Sequence, residues 1–86
     1  MLSEITDVSC EKGFELLLTF GNGEKRLVDI AAIVPFDGVF EPLLDEVFFR
    51  RVRVDRDIGT VVWPNGADLC PDVLYEQSTP IAAVKT

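Results

Sequence analysis

The residues best equipped for chemistry fall in two short runs. Val61-Val62-Trp63-Pro64-Asn65-Gly66-Ala67-Asp68-Leu69-Cys70-Pro71-Asp72 holds the only tryptophan, two of the five prolines and one of the two cysteines. Arg50, Arg51, Arg53 and Arg56 put half of the eight basic side chains within seven residues. A tryptophan at a strand end, beside polar loop groups, is suited to gripping a partner. Trp63, Asn65, Asp68 and Asp72, joined by Arg51 and Arg53 from the basic run, are therefore the candidate interaction surface. Turn chemistry accounts for several of the same residues without any function. Trp63 would then pack in the core, and Asn65-Gly66 would shape a bend in which Asp68 accepts backbone N–H groups. The arginines, likewise, read as a solvated strand face beside neighbouring carboxylates.

Catalytic signatures are sparse. The chain has no histidine, the usual acid–base group near neutral pH, and so no Ser-His-Asp or Cys-His arrangement. Cys10 and Cys70 are too far apart for a CxxC redox motif, and no zinc pattern accompanies them, so two reduced thiols are expected. Cys70, just before a helix start, reads as a small buried residue of the cap region more readily than as a nucleophile. Asp68 and Asp72 could offer oxygens to a hard cation, but they lack the spacing of a calcium loop. No catalytic residue, metal ligand or cofactor is expected, and the chain reads as a non-enzyme. Carboxylates converging with Cys70 or an arginine in one cleft would argue the other way.

Eighty-six residues suit one domain, and the 48% hydrophobic composition is that of a globular protein. Fifteen carboxylates against eight basic groups leave a net charge of −7, which repels phosphate backbones. Direct nucleic-acid binding is not expected. No apolar run approaches the ~20 residues that span a bilayer, and the N-terminus lacks a signal-peptide pattern. A cytoplasmic protein away from membranes is the default, and the residues fit a monomer or a homodimer equally.

The alternation of apolar residues defines the elements that must hold these two runs. Residues 2–10 predict a first strand whose alternation slips between Ile5 and Val8, the mark of a bulge. Phe14, Leu16, Leu18 and Phe20 fall at period two on one sheet face. Gly21-Asn22-Gly23 predicts a type I′ hairpin into a strand over 24–30, with Arg26, Val28 and Ile30 on one side. Phe40, Leu43, Leu44, Val47 and Phe48 form a helical stripe, with Pro42 in the first turn. Val52 and Val54 mark a half-exposed strand, Asp55 to Gly59 a turn, and Thr60 to Trp63 a covered strand. Pro71 opens a second, short helix that docks through Val73, Leu74 and Tyr75. The expected fold is α+β: a single domain over 1–76 and a tail over 77–86. About five mostly antiparallel strands run in the order β-β-β-α-β-β-α, with one main helix packed on the sheet and a short C-terminal helix.

Gly59-Thr60-Val61-Val62-Trp63-Pro64-Asn65-Gly66-Ala67-Asp68-Leu69, followed by Pro71-Asp72 and Leu74-Tyr75, resembles a family of small bacterial proteins, the domain-of-unknown-function family numbered 2442. The resemblance takes in Phe49, Val52, Val54, Asp55 and the Phe20-Gly21-Asn22-Gly23 hairpin, and covers roughly residues 4–76. It implies a compact α+β domain. Members resemble stand-alone proteins or N-terminal modules of helix-turn-helix proteins, and the stand-alone genes look paired with a second small family, numbered 4160. That pairing implies a protein partner encoded nearby, in a toxin–antitoxin or similar two-protein module. The fused members imply an alternative, a small-molecule-sensing or regulatory domain. The family carries no assigned site residues to transfer.

Overall fold

The computed structural model describes residues 4–81. In chain order the elements are β1 (Ile5–Cys10), β2 (Glu15–Phe20), β3 (Lys25–Asp29), α1 (Ile30–Ile33), a 3-10 helix (Gly38–Leu44), α2 (Glu46–Phe49), β4 (Arg53–Asp55), β5 (Thr60–Val62), α3 (Pro71–Gln77) and β6 (Thr79–Pro80). The fold is α+β, and every strand pairing in it is antiparallel.

Alternation in β2 sets the frame. Leu16, Leu18 and Phe20 are buried, while Glu15, Leu17 and Thr19 turn to the opposite side. β1 and β3 flank β2 and β6 lies beyond β3, giving the order β1-β2-β3-β6. The register of β1 shifts between Ile5 and Asp7, where the apolar alternation slips. β4 and β5 form a separate two-stranded sheet that packs beside β1. One backbone bond fastens this junction, Ile5 N–H donating to the Gly59 carbonyl at 2.9 Å, while Gly21 N–H extends the β1–β2 ladder by donating to the Glu4 carbonyl at 2.8 Å.

The β2–β3 hairpin differs from the expected two-residue type I′ turn. Phe20 and Glu24 close a loop of three residues. Gly23 donates to the Phe20 carbonyl at 2.8 Å and holds a left-handed φ of +88°. This is the turn-plus-glycine form, in which the third loop residue needs the positive φ. The Asn22 side chain accepts the Glu24 N–H at 2.9 Å.

The expected helix over Phe40–Phe48 is broken. From Gly38 to Leu44 the chain is 3-10 helix, with three residues per turn, so burial follows period three: Phe40 and Leu43 face inward and their neighbours are exposed. Asp45 then leaves helical geometry (φ −83°, ψ 117°) and caps α2 by accepting the Val47 N–H at 3.0 Å. A carboxylate that can bond its own backbone competes with helix continuation. The break turns Leu44 and Val47 outward, 59% and 73% exposed, and brings Phe49 into the core in their place.

The core lies between the inner face of the four-stranded sheet and a layer made by the 3-10 helix, α2, β5 and α3. Leu16, Leu18, Phe20 and Val28 meet Leu43, Phe49, Trp63 and Leu74 there. Each such side chain contributes roughly 1.5–3 kcal/mol by leaving water. Phe14 packs edge-on against both Phe36 and Phe49. In α3 Leu74 docks and Tyr75 is half-buried, but Val73 faces solvent, since seven residues give this helix one narrow inward side. The tail assigned to 77–86 joins the sheet over its described part: Ser78 is buried and Thr79 pairs with Leu27. Leu2 and the run Ala82–Val84 lie outside the described residues.

Candidate functional site

The tryptophan-bearing segment is itself a small hairpin. Trp63 N–H donates to the Ala67 carbonyl at 2.9 Å, Gly66 N–H donates to the Trp63 carbonyl at 2.9 Å, and Asp68 bridges back to Val62. Gly66 holds φ +88°, and Asn65 accepts the Ala67 N–H at 3.1 Å. Pro64-Asn65-Gly66 thus repeats the loop chemistry of Gly21-Asn22-Gly23, residue for residue. Asn65 adds one bond that Asn22 does not make: its amide donates to the Val39 carbonyl at 2.9 Å, tying the hairpin tip to the 3-10 helix.

The six candidate surface residues do not converge on one face. Trp63 is 1% exposed, with its indole N–H bonded to the Phe49 carbonyl at 2.9 Å, so it is a core residue and offers no contact to a partner. Asn65 is exposed and serves as turn and tether. Asp68 is exposed, and the backbone acceptor role expected of it belongs to Asn65, because the positive-φ glycine places the Ala67 N–H over that amide. Asp72 is exposed in the first turn of α3. Arg51 and Arg53 are exposed before and within β4, and, among the described residues, none of the four clustered arginines has a carboxylate within ion-pair distance. The neighbouring carboxylates expected to solvate that run are therefore not engaged.

Asp72 does meet other charged groups elsewhere. Glu4, Arg56, Asp57, Gly59, Cys70 and Asp72 are among the residues lining an open groove of about 440 Å³ between the β4–β5 turn and the start of α3. Cys70 is exposed and not buried, since it precedes Pro71 outside the packed side of α3. Carboxylates, an arginine and a thiol thus share one depression. Among the described residues these side chains form no hydrogen bonds with one another, and no group of three or more carboxylates and thiols is arranged to hold a metal ion. The other thiol, Cys10, is half-buried. Burial pushes it above its ordinary pKa, Arg50 opposes that, and Glu11 adds to it.

The most connected polar cluster is one the residue types alone did not single out. Arg26 projects from the inner face of β3, where a charge must be partnered. Its Nε donates to Ser78 Oγ at 2.7 Å, one terminal nitrogen donates to the Ser78 carbonyl at 2.9 Å, and the other to Glu24. The Tyr75 ring lies under the guanidinium, 4.1 Å from centroid to Cζ, and its hydroxyl donates to Glu24 Oε1 at 2.7 Å. Ser78 Oγ closes the circuit by donating to the Tyr75 carbonyl at 2.9 Å. The Tyr75 hydroxyl, followed by Arg26, holds the Glu24 carboxyl below its usual range, and the bond to Glu24 raises the Tyr75 phenol. Every group has a partner, which makes this a clamp fastening α3 and β6 to the hairpin. The signal was available in the alternation: Arg26 shares a face with Val28 and Ile30, a charge where an apolar residue belongs.

Apolar residues outside the six candidates also reach the surface. Leu17 stands directly opposite Leu27 on the outer sheet face, and with Ile81 they line an open groove of about 410 Å³ flanked by Glu11, Lys12 and Glu15. Val39 and Leu44 on the 3-10 helix and Val47 on α2 are each exposed.

Residues 5–80 match the family described as protein of unknown function (DUF2442), which takes in every strand and helix described above. The chain belongs to the DUF2442 family. No curated protein and no solved structure matches it. The match extends past the end of α3 to Pro80, so the DUF2442 unit includes the clamp and the β6 pairing. Among the described residues of this DUF2442 chain, no helix is long and apolar enough to cross a membrane.

Proposed function

We propose that this DUF2442 protein is a non-enzymatic module that recognises a small protein partner encoded nearby, as the antitoxin-like member of a two-protein pair. The observation that carries this reading is the outer face of the four-stranded sheet. Antiparallel sheets commonly leave one face to water, and that face is then polar. Here it presents Leu17 against Leu27, with Ile81 alongside and no described element over them. An apolar strip in a protein of net charge −7 suits a basic partner: the field steers the encounter and the leucines supply contact area. Co-expression with the neighbouring gene product, followed by affinity capture, tests it. Wild type should retain the partner at micromolar concentrations, and Leu17→Lys with Leu27→Lys should lose it while keeping its fold. Failure of the wild-type pair to associate would remove the reading.

The charged groove favours a second reading, a ligand-responsive regulatory domain. Arg56 beside Gly59 and Cys70 offers a cationic contact for a small anionic ligand, with three carboxylates setting what is rejected. A thermal-shift screen of small anions checks it, because a ligand that binds the native state raises apparent stability. A screen without stabilisers, alongside unchanged melting of Arg56→Ala in the same compounds, would dismiss it.

A further inference from the structure

Strand register fixes what the outer sheet face carries. Residues directly opposite on antiparallel strands share a face, so Leu17 with Leu27, and Glu15 with Asp29, stand there as neighbouring rows. Glu11 N–H donates to the Glu15 carbonyl at 2.9 Å, which sets Glu11 opposite Glu15. Glu11, Glu15, Leu17, Leu27 and Ile81, together with Lys12, line one groove of about 410 Å³. Carboxylates thus stand side by side next to the leucine pair, and like charges directly opposite cost stability. Asp29 is committed to capping α1, where it accepts the Ala31 N–H at 3.1 Å. Among the described residues, Glu11 and Glu15 have no cation within ion-pair distance, and Lys12 has no carboxylate. Towards the hairpin end of the same face, Lys25 donates to Thr19 Oγ1 at 3.1 Å.

We infer that the outer face receives a basic amphipathic helix of the partner, its apolar side on Leu17, Leu27 and Ile81 and a lysine or arginine at Glu11 and Glu15. A sheet buries an apolar face against a second layer, and the inner face already has one. The spacing suits a helix. Residues two apart on a strand are about 6.6 Å apart, and residues four apart on one side of a helix are about 6 Å apart. An apolar residue therefore reaches the leucines while a basic residue four positions on reaches the carboxylates. A cation there relieves two like charges, whereas at Lys25 it meets its own sign. The inference rests on the interaction reading and adds the partner's chemistry, which that reading drew only from net charge and apolar area.

Titration of the isotope-labelled full chain with synthetic helical peptides, followed through amide chemical shifts, tests it. One peptide repeats leucine with lysine four positions on, and a second has glutamate in place of each lysine. The lysine peptide should shift Glu11, Glu15, Leu17, Leu27 and Ile81, and the glutamate peptide should not. Glu11→Lys with Glu15→Lys should exchange the preference, weakening the lysine peptide by about tenfold and admitting the glutamate one. Asp57→Lys with Asp72→Lys makes the same change of net charge at the other groove and should weaken the lysine peptide far less. Glu15 is half-buried, so Glu11→Gln with Glu15→Gln serves as a second variant that should weaken the lysine peptide without admitting the other. Shifts centred on Arg56 and Asp72, or a lysine preference that survives both Glu11–Glu15 variants, would overturn the inference. Equal capture of the neighbouring gene product by wild type and by Glu11→Lys with Glu15→Lys would overturn it and leave the interaction reading standing. Peptide binding at this face without capture would remove that reading and support the inference.

Discussion

Replacing Trp63 with phenylalanine separates a core tryptophan from an interface tryptophan. The indole N–H donates to the Phe49 carbonyl inside the core, and the ring packs at a tilt against Phe49, 5.8 Å between centroids. Phenylalanine removes the donor. The carbonyl is not left orphaned, because Val52 N–H also reaches it at 3.3 Å. The cost is therefore that of one lost bond, about 1 kcal/mol, and not the larger penalty of a stranded acceptor. The smaller ring leaves a void and forfeits burial, worth about 1–2 kcal/mol if the walls relax only in part. Together these give about 2–3 kcal/mol, a large share of the roughly 4–13 kcal/mol available to a chain of this length. The melting temperature should fall by roughly 10–20 °C. Urea titration followed by far-ultraviolet circular dichroism measures this without relying on the lost fluorophore. Partner capture by the folded fraction should be unaffected. A variant as stable as wild type that no longer holds its partner would refute the core assignment and restore Trp63 to the interface.

The clamp predicts a stability plateau with two edges. Glu24 titrates lower in the folded chain than in the unfolded one, so its contribution is complete above the ordinary carboxyl value of about 4.3 and is lost as pH falls through the folded pKa. Tyr75 titrates higher when folded, so its contribution is complete below the ordinary phenol value of about 10 and is lost as pH rises through the folded pKa. Melting temperature against pH should show both edges; Glu24→Gln should remove the acid one and weaken the alkaline one, and Tyr75→Phe the reverse, because each group is the largest cause of the other's shift. Gly23→Ala and Gly66→Ala should each cost about 1–2 kcal/mol in urea titrations, since both positions hold φ +88° with open space around the missing Cβ, so the penalty is backbone conformation alone. Asn65→Ala should destabilise by about 0.5–1 kcal/mol more than Asn22→Ala, because only Asn65 also fastens its loop to Val39.

Period-two runs were legible in the chain because a half-buried strand leaves little choice about which residues face inward. Leu16, Leu18, Phe20, Val28 and Ile30 all lie where alternation puts them. The stripe from Phe40 to Phe48 misled because residues spaced for an α-helix were read as one. The competing signal was Asp45, a residue that caps more readily than it continues, and it resets the phase so that Phe49 replaces Val47 in the core. The functional reading of Trp63 rested on residue type at a strand end, and type alone does not reveal that the strand end lies beneath α2. Arg26 was placed on the correct face, but its partners Tyr75 and Ser78 are some fifty positions away in the chain, joined to it only by the fold.

The thinness of the fold limits where a recognition surface can form. The described fold measures 37 × 27 × 19 Å, and the short dimension is little more than a sheet and one layer upon it. A body this thin has no deep interior in which to build a cleft, and its grooves are correspondingly open. Its broad faces are what remain for recognition. One is closed by the 3-10 helix, α2 and α3 over the core. The other is bare sheet with the Leu17–Leu27 pair at its centre. On the proposed reading the bare sheet is the face a partner covers, and Leu17→Lys with Leu27→Lys alters it without touching the buried core between the sheet and the helices.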